Sequence, residues 1–456
     1  MVLVLTVVVL QSISFSNYAL TTKTTNIIYG SAPYLTFDGG RTRVTNTESL
    51  LGISLSDGRT FTPTTNNSSS TNPIELPVAG QSSADIGMLV PRNTNSIALS
   101  SLIGTPYNYW GDDDGDGQGV NGVTATGSLN LSIVNRWNQP VSRNEVLNVC
   151  KAPYKLTLSN GEGTLKTRYG VPNESRFSAS NATYYIKPKV SSPLICFARP
   201  FLQYGSGFQL PASTWDDNRN GFLTQSVTPS SYGSNFPTTG AHNLRFALDI
   251  VGSNQALSWA SVSHGGITAS MSQSSRDSVV VILKGPHWYY SESDEKKRPP
   301  SLPQVFELVG RDSSGNAVVK YGFVLKQWFF NNGNNSTYYP SASSYCNRYG
   351  YRLPKLKELT NASCTGGWNS LPYDCQGATP SSGRSDSNYR HIGAGFFTEW
   401  GEMRKYSDAT FYSGYFWTSD RPSNSNDNFL VVSSYKGGIS SKAPRNYSAS
   451  VACVYP

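Results

Sequence analysis

Short apolar runs separated by polar turns make up most of the chain. Before residue 150 the runs include APYLTF, LLGISL and SLNLSIV, and the first two are followed by Asp-Gly steps in FDGG and SDGR. An Asp-Gly step favours a tight turn between two strands. From residue 151 to 325 the pattern continues with YKLTLSNGEGTLKTRY, ATYYIKPKV, LRFALDIV and SVVVILKG. The regular spacing of these short strands predicts β-sandwich domains of immunoglobulin-like type.

One hairpin is predicted most clearly, in VFELVGRDSSGNAVVKYGFVL, where two strand-like runs flank a turn at Ser314, Gly315 and Asn316. After Lys326 the pattern changes. QWFF predicts a buried strand, and YFWTSD, FLVVSSYKGG and YSASVACVYP predict three more strands near the end of the chain. Residues 326–456 are therefore predicted to form a domain of their own.

Two short helices are predicted between those strands. In SASSYCNRYG, the spacing i, i+3, i+4 and i+7 gives one helix an apolar face made of Ala342, Tyr345, Cys346 and Tyr349. Ser341 is predicted to cap the start of this helix, and Gly350 to supply the left-handed residue at its end. Pro354 is placed to open a second helix, PKLKELTNA, with Leu356 and Leu359 inward.

The first residues, MVLVLTVVVL, form an apolar run followed by small polar residues, the proportions of a secretory signal peptide. Residues 1–20 are predicted to be that peptide, and the alternative is a buried first strand. The run is too short to span a bilayer, and no transmembrane segment is predicted elsewhere. We expect β-sandwich-like domains at 21–150 and 151–325, then the domain at 326–456, in a secreted or cell-surface protein.

Composition supports a mainly β fold. Charged residues are only 14% of the chain, which favours short strands joined by turns over long solvated helices. The formal charge is +8, but no block of Lys and Arg is longer than the KKR at 296–298. The positive charge is therefore interpreted as a general excess of Lys and Arg along the chain, and no nucleic-acid site is predicted.

Six cysteines in an exported chain predict three disulfides. Six cysteines allow fifteen pairings, and the parsimonious choice keeps each domain self-contained. Two cysteines stand alone in the first two thirds of the chain, Cys150 and Cys196, whereas the last quarter holds Cys346, Cys364, Cys375 and Cys453. No C-x-x-C motif occurs and the four histidines are scattered, so zinc is not predicted.

The stretch WGDDDGDGQGV is the one candidate for metal chemistry. Its pattern D-x-D-x-D-G could bring carboxylates together around a hard cation, for which the oxygen ligands would be Asp112, Asp114, Asp116 and Gln118. Val123 occupies the position at which an EF-hand has its bidentate Glu, so the motif is not an EF-hand. The expectation is structural calcium in a loop between strands, and the alternative is a solvated acidic turn.

No catalytic motif is present. The chain has no G-x-S-x-G, no H-E-x-x-H, no P-loop and no G-x-G-x-x-G after a strand. Two pairs of carboxylates could serve glycoside cleavage, Asp216 with Asp217 and Glu399 with Glu402, but surface solvation is their default explanation. The prediction is that the protein is not an enzyme, with an extracellular carbohydrate-active enzyme kept as an alternative.

The C-terminal motifs resemble a known fold. A first helix with a cysteine, G-Y-R-L-P-x-x-x-E-L, a late F-W-T-S strand and a last strand with V-A-C-V are similar to the C-type-lectin-like domains that end intimin and invasin-type adhesins. The resemblance implies a disulfide between Cys346 and Cys453, with Cys364 and Cys375 closing a small loop. The wider chain, including YWGDDDGDGQG and CFARP, is similar to enterobacterial adhesin-like proteins related to that group.

The resemblance implies an adhesin-like protein whose sandwich domains act as a spacer for a lectin-like head. Its partner would be a host-cell surface protein or glycan, and a separate intimin-like outer-membrane barrel would export it. A secreted virulence-modulating effector that uses such a barrel is the alternative.

Aromatic and basic residues after the second helix are the candidate binding surface, because Tyr and Trp dominate such surfaces and cations suit an anionic ligand. The residues predicted to form this surface are Trp368, Tyr373, Arg384, Arg390, Arg404, Lys405, Tyr412 and Tyr415. Trp328, Trp400 and Trp417 are predicted to lie in the core instead.

Overall fold

The computed structural model describes residues 29–44, 47–115, 122–200, 214–288, 293–364 and 374–456. This part of the chain is mainly β, as predicted, and it divides into two compact units, Met1–Pro188 and Lys189–Pro456. The predicted signal peptide lies outside the described residues. Across the described ranges, no helix is both long and apolar enough to cross a membrane.

The first unit is built from short strands whose inward positions are apolar. In Ser128–Val134, for example, Leu129, Leu131 and Ile133 are buried and the residues between them face outward. The strands are β1 (Tyr34–Leu35), β2 (Ile53–Ser54), β3 (Thr60–Phe61), β4 (Ile74–Ala79), β5 (Ser96–Ala98), β6 (Trp110–Gly111), β7 (Val123–Ala125), β8 (Ser128–Val134), β9 (Tyr154–Asn160), β10 (Gly163–Thr167), β11 (Glu174–Phe177) and β12 (Ser180–Lys189). The larger sheets have the orders β4-β12-β9-β8-β5 and β11-β10-β7.

The predicted boundary between residues 150 and 151 falls inside a sheet of this unit. Strands β8 and β9 lie on opposite sides of that boundary, yet they pair without a break from Leu129 opposite Asn160 to Val134 opposite Lys155. The residues between them contain the 3-10 turn Val149–Lys151. A turn that returns the chain to the same sheet has the same composition as a linker, so the sequence pattern did not distinguish the two.

The second unit contains a sandwich and a terminal sheet. Its strands are β13 (Leu194–Pro200), β14 (Trp215–Asp216), β15 (Gly221–Leu223), β16 (Thr239–Ala241), β17 (Arg245–Val251), β18 (Ser258–Trp259), β19 (Val262–His264), β20 (Ile267–Ser272), β21 (Ser278–Lys284), β22 (Gln304–Arg311), β23 (Ala317–Leu325), β24 (Gln327–Thr337), β25 (Tyr415–Trp417), β26 (Phe429–Ser433), β27 (Ile439–Lys442) and β28 (Ala449–Tyr455).

The sandwich pairs a seven-stranded sheet, β14-β15-β13-β17-β21-β20-β19, with a three-stranded sheet, β18-β22-β23. Phe246 of β17 contacts Phe323 of β23 edge to face, with ring centroids 5.8 Å apart. Strands β22 and β23 form the predicted hairpin, paired from Gln304 opposite Leu325 to Arg311 opposite Ala317. Gly315 has a φ of +84° in its turn, which a residue with a side chain rarely adopts.

The terminal sheet has the order β16-β24-β28-β25-β26-β27. The helices are α1 (Leu99–Ile103) in the first unit and α2 (Tyr339–Arg348), α3 (Leu356–Leu359) and α4 (Phe396–Trp400) beside the terminal sheet. The 3-10 turns are Thr47–Leu51, Ser83–Asp85, Val149–Lys151, Pro229–Ser234, Asp294–Lys297, Met403–Lys405 and Ser407–Ala409.

Both predicted helices form, with different ends. Helix α2 buries Ala342 and Cys346 and is followed by Gly350 at a φ of +81°, as predicted. Its cap is Tyr338 rather than Ser341, because Pro340 in the first turn needs no hydrogen-bond partner and lets the helix begin earlier. Helix α3 begins at Leu356 and ends at Leu359, so it is shorter than PKLKELTNA.

Candidate functional site

Two disulfides frame the C-terminal domain. Cys346 in α2 is bonded to Cys453 in β28, with a Cα–Cα distance of 5.3 Å and both residues fully buried. Cys364 is bonded to Cys375. Both pairings implied by the resemblance are confirmed, and Cys150 and Cys196 are also disulfide-bonded. The first helix and the last strand of the domain are therefore covalently joined.

A buried carboxylate joins this domain to the sandwich that precedes it in sequence. Glu399 in α4 is fully buried, and its oxygens accept hydrogen bonds from the hydroxyls of Thr238 and Thr239, each at 2.6 Å. The backbone N–H groups of both threonines and of Gly393 also donate to it, at 2.7–3.2 Å. Burial raises the pKa of Glu399, and these hydrogen bonds oppose that rise.

The strand that carries Thr239 extends the same contact. Strand β16 pairs in parallel with β24, from Thr239 opposite Gln327 to Ala241 opposite Phe329. The Trp400 indole N–H donates to the backbone oxygen of Thr239 at 3.0 Å, and the Trp400 ring lies 4.9 Å from that of Phe236. We call this set of contacts, made by residues 236–241 with α4 and β24, the Glu399 seam. It fixes the terminal sheet to the sandwich within one unit.

An exposed group of aromatic and basic side chains lies at the turn between β26 and β27. Tyr435 is 46% exposed and Tyr412 is 44% exposed. The Arg404 guanidinium lies 5.3 Å from the centroid of the Tyr435 ring, and the Lys436 ammonium lies 5.5 Å from it. We call Arg404, Tyr412, Tyr435 and Lys436 the Tyr435 patch. Cations over an aromatic ring are held by its quadrupole, so the charges of this patch have preferred positions.

Backbone hydrogen bonds hold this turn in place. The backbone oxygen of Lys436 accepts from the N–H of Asn388 at 2.7 Å, and that of Gly437 accepts from the Thr360 hydroxyl at 2.8 Å. The Ser434 hydroxyl donates to the backbone oxygen of Tyr412 at 3.0 Å. Gly437 has a φ of +68°, and a Cβ there would meet the Asn388 side chain at 2.3 Å, so the turn requires glycine.

The predicted surface residues separate into several environments. Arg404 and Tyr412 lie in the Tyr435 patch, and Arg404 also forms an ion pair with Glu402. Lys405 is half-buried in the adjoining 3-10 turn, and Arg384 pairs with Asp386 at 3.4 Å. Tyr415 is half-buried, with the Lys442 ammonium 5.7 Å from its ring centroid. Trp368 and Tyr373 lie outside the described residues.

Arg390 was wrongly predicted to face a ligand. It is 5% exposed, and its Nη1 donates to the backbone oxygens of Phe397 and Thr398 in α4, at 3.2 and 3.1 Å. Burial lowers the pKa of Arg390 to about 10. The last carbonyls of a helix have no partner within it, and a cation favours that end. Arg390 therefore has a structural role at the end of α4.

Tyr435 and Lys436 were missed as surface residues. They follow FLVVSS in a run that was interpreted as one strand, and the sequence does not show where that strand ends. The Gly-Gly pair at 437–438 was the available signal, because two glycines after Tyr-Lys indicate a turn. The core predictions for Trp328, Trp400 and Trp417 are confirmed, since all three are fully buried.

The acidic loop is described only in part. Asp113 accepts a hydrogen bond from the Tyr34 hydroxyl at 3.0 Å and pairs with Arg43, and Asp114 accepts from the backbone N–H of Ser31 at 2.7 Å. Asp112 is described as well, but Asp116 and Gln118 lie outside the described residues. Among those that are described, no three His, Cys, Asp or Glu side chains group as a metal site. Calcium in this loop stays a prediction.

The carboxylates considered for catalysis have structural contacts. Asp216 accepts from the backbone N–H groups of Asn218 and Arg219, and Asp217 accepts from the indole N–H of Trp215 at 2.7 Å. Glu399 lies in its seam, and Glu402 pairs with Arg404. The prediction that these carboxylates are solvated at the surface is wrong for three of them, because Asp216, Glu399 and Glu402 are 1%, 0% and 7% exposed. These contacts position backbone and side chains rather than a substrate.

Part of the chain is similar in sequence to an adhesin. Over 136 residues the chain is 28% identical to the inverse autotransporter adhesin YeeJ of Escherichia coli (strain K12), a match that covers 28% of this chain and 5% of that protein. The chain thus spans a small part of this relative. No protein-family model matches the chain. Over these residues the match supports the predicted resemblance to adhesin-like proteins.

Two solved structures show distant similarity. The crystal structure of invasin, described as a bacterial integrin-binding protein, is 14% identical with a TM-score of 0.36, covering 74% of this chain and 52% of that one. A C-terminal 282-residue fragment of intimin, in complex with the intimin-binding domain of the translocated intimin receptor, is 12% identical with a TM-score of 0.33. That match covers 73% of this chain and 93% of the fragment.

Proposed function

We propose that this chain is an extracellular adhesin-like binding protein whose C-terminal domain, residues 326–456, recognises a surface component of a host cell. The observation that carries the proposal is the sequence match to an adhesin. The proposed domain type is C-type-lectin-like, which is supported by the motif order and by the disulfide from the first helix to the last strand.

Two features of the domain suit a binding role. The Tyr435 patch presents two exposed tyrosines and two cations, and hydrogen bonds hold in place the turn that carries Tyr435 and Lys436. Binding residues that are already ordered lose less conformational entropy when a ligand binds. The Glu399 seam fixes the domain to its sandwich, so the proposed spacer would present the domain in one orientation.

Export of the chain completes the proposal. A signal peptide at residues 1–20 and a separate intimin-like outer-membrane protein would deliver it to the surface or the medium. Both remain predictions from the sequence.

The experiment that tests the function is binding of the full-length, oxidised chain to cultured epithelial cells. We expect saturable binding that falls when the C-terminal domain is disrupted by Cys346→Ser with Cys453→Ser. The control is Arg176→Ala, because the Arg176 side chain is 83% exposed on the first unit and should not affect the C-terminal domain. The proposal fails if the chain shows no saturable binding, or if the disulfide variant, shown by circular dichroism to have lost its native C-terminal domain, binds as well as the parent.

A further inference from the structure

The charge around the Tyr435 patch is unevenly balanced. Two cations, Arg404 and Lys436, lie near the Tyr435 ring, and both are exposed. Arg404 pairs with Glu402, whose side chain is only 10% exposed. Two exposed cations against one largely buried carboxylate give the patch an excess of positive charge, which attracts an anionic partner.

The shape of the patch distinguishes between kinds of anionic partner. Small ligands and sugars bind in clefts that bury most of their surface. The Tyr435 patch instead is a set of exposed side chains, with Tyr435 and Lys436 in the turn between β26 and β27 and Arg404 and Tyr412 on other segments. Exposed tyrosine and arginine are among the residue types that dominate the centres of protein–protein interfaces.

We propose that the Tyr435 patch binds a carboxylate-rich segment of a partner protein. This inference rests on the proposed binding function and names the chemistry of the partner. Arg404 would pair with a carboxylate through its planar guanidinium, Lys436 would add a second cation, and Tyr412 and Tyr435 would supply apolar contact area. The internal pair of Arg404 with Glu402 holds the guanidinium in position for this contact, because Glu402 itself is buried.

The test uses the oxidised full-length chain and two defined probes, poly-L-glutamate for an acidic polypeptide and heparin for an anionic glycan. The patch variant is Arg404→Gln with Lys436→Gln, and Tyr435→Ser is made separately. A matched control exists on the first unit, where Arg168 lies 5.3 Å from the ring centroid of Tyr169, which is 52% exposed. Lys166→Gln with Arg168→Gln removes the same number of charges from a similar exposed aromatic site.

We expect poly-L-glutamate to bind the parent chain, and the patch variant to bind it at least about fivefold more weakly. Tyr435→Ser should also weaken binding, whereas the control pair should leave it within about twofold. Melting temperatures of Tyr435→Ser and of the control pair should be unchanged, since these side chains are on the surface. Because Arg404 pairs with the buried Glu402, circular dichroism must show that the patch variant is folded at the assay temperature.

Three outcomes would overturn the inference. They are no binding of poly-L-glutamate, an equal loss in the patch and control pairs, or patch-dependent binding of heparin that is tighter than that of poly-L-glutamate. Failure here is separable from failure of the proposed function, because cell binding by the parent chain tests the function and probe binding by the variants tests the patch.

Discussion

The carboxylate of Glu399 accepts hydrogen bonds from both the backbone N–H and the hydroxyl of Thr239, at 3.0 and 2.6 Å. The two residues are 160 positions apart in the sequence. Thr238 makes the same two kinds of contact, so consecutive residues of the sandwich region enclose one buried charge of the C-terminal domain. A buried carboxylate is tolerated only where donors compensate its lost hydration, which makes the Glu399 seam sensitive to substitution.

Removal of this carboxylate should destabilise the second unit strongly. Glu399→Ala leaves the buried N–H groups and hydroxyls of Thr238 and Thr239 without this acceptor, at a cost of about 1–3 kcal/mol for each unsatisfied group. We expect the free energy of unfolding, measured in urea, to fall by roughly 3–5 kcal/mol. The control is Glu75→Ala, an exposed partner of Lys187, which should change the value by about 1 kcal/mol or less. A similar effect of both variants would contradict the structural role of Glu399.

The carboxyl group of Glu399 should also make the free energy of unfolding depend on pH. Burial raises the pKa of Glu399 in the folded state above its ordinary value of 4.5, so the folded chain holds this proton more tightly than the unfolded chain. The resulting stability is present in full below the unfolded pKa and is lost as the pH rises through the folded pKa. Glu399→Gln cannot titrate and lacks this component.

The measurement is urea unfolding of the parent and of Glu399→Gln at several pH values from about 4 to about 8. The stability of the parent relative to the variant should decrease as the pH rises across this range. A difference that stays constant, or that increases with pH, would show that the folded-state pKa is not raised.

A fragment that begins at residue 326 should be less stable than one that begins at residue 189. The shorter fragment lacks β16 and both threonines, so Glu399 would have lost four of its hydrogen bonds and Trp400 its partner oxygen on Thr239. Thermal unfolding followed by circular dichroism should give a lower midpoint for residues 326–456 than for residues 189–456. Equal midpoints would mean that the terminal sheet is stable without the seam.

The two C-terminal disulfides should contribute unequally. Cys346 and Cys453 are 107 positions apart, whereas Cys364 and Cys375 are 11 apart. In the chain-entropy model, a longer closed loop restricts the unfolded chain more, with about 4–5 kcal/mol expected for the long loop and about 3 kcal/mol or less for the short one. Paired Cys→Ala variants, compared by urea unfolding, should follow that order, and the reverse order would contradict an entropic origin.

The acidic loop provides a test of bound calcium. If the cation binds there, EDTA should lower the melting temperature of the parent, and Asp114→Ala should abolish that sensitivity. Asp57→Ala is a suitable control, because Asp57 pairs with Arg59 elsewhere in the first unit. Equal insensitivity of the parent and of Asp114→Ala to EDTA would identify the loop as a turn held by its contacts to Ser31, Tyr34 and Arg43.

Local patterns predicted much of the fold. The β22–β23 hairpin, β8 and α2 follow from alternation, turn residues and helical spacing, which depend on neighbours in sequence. Strand β16 could not be found in this way, since its residues Thr-Gly-Ala carry no apolar period and it is defined by parallel pairing with β24. The burial of Glu399 likewise depends on partners far away in the sequence, and that of Arg390 depends on where α4 packs, whereas a charged residue is exposed by default.

The parallel pairing of β16 with β24 has a mechanical consequence. A domain joined to its neighbour by a single peptide link can swivel when pulled sideways. Here the chain enters the terminal sheet through Lys326, and β16, which lies between β15 and β17 of the sandwich in sequence, is hydrogen-bonded to β24 of the same sheet. Sideways force on the terminal sheet is therefore shared between the covalent link at Lys326 and the hydrogen bonds of β16 to β24. The sandwich would transmit such a force to the terminal sheet without free rotation between the two.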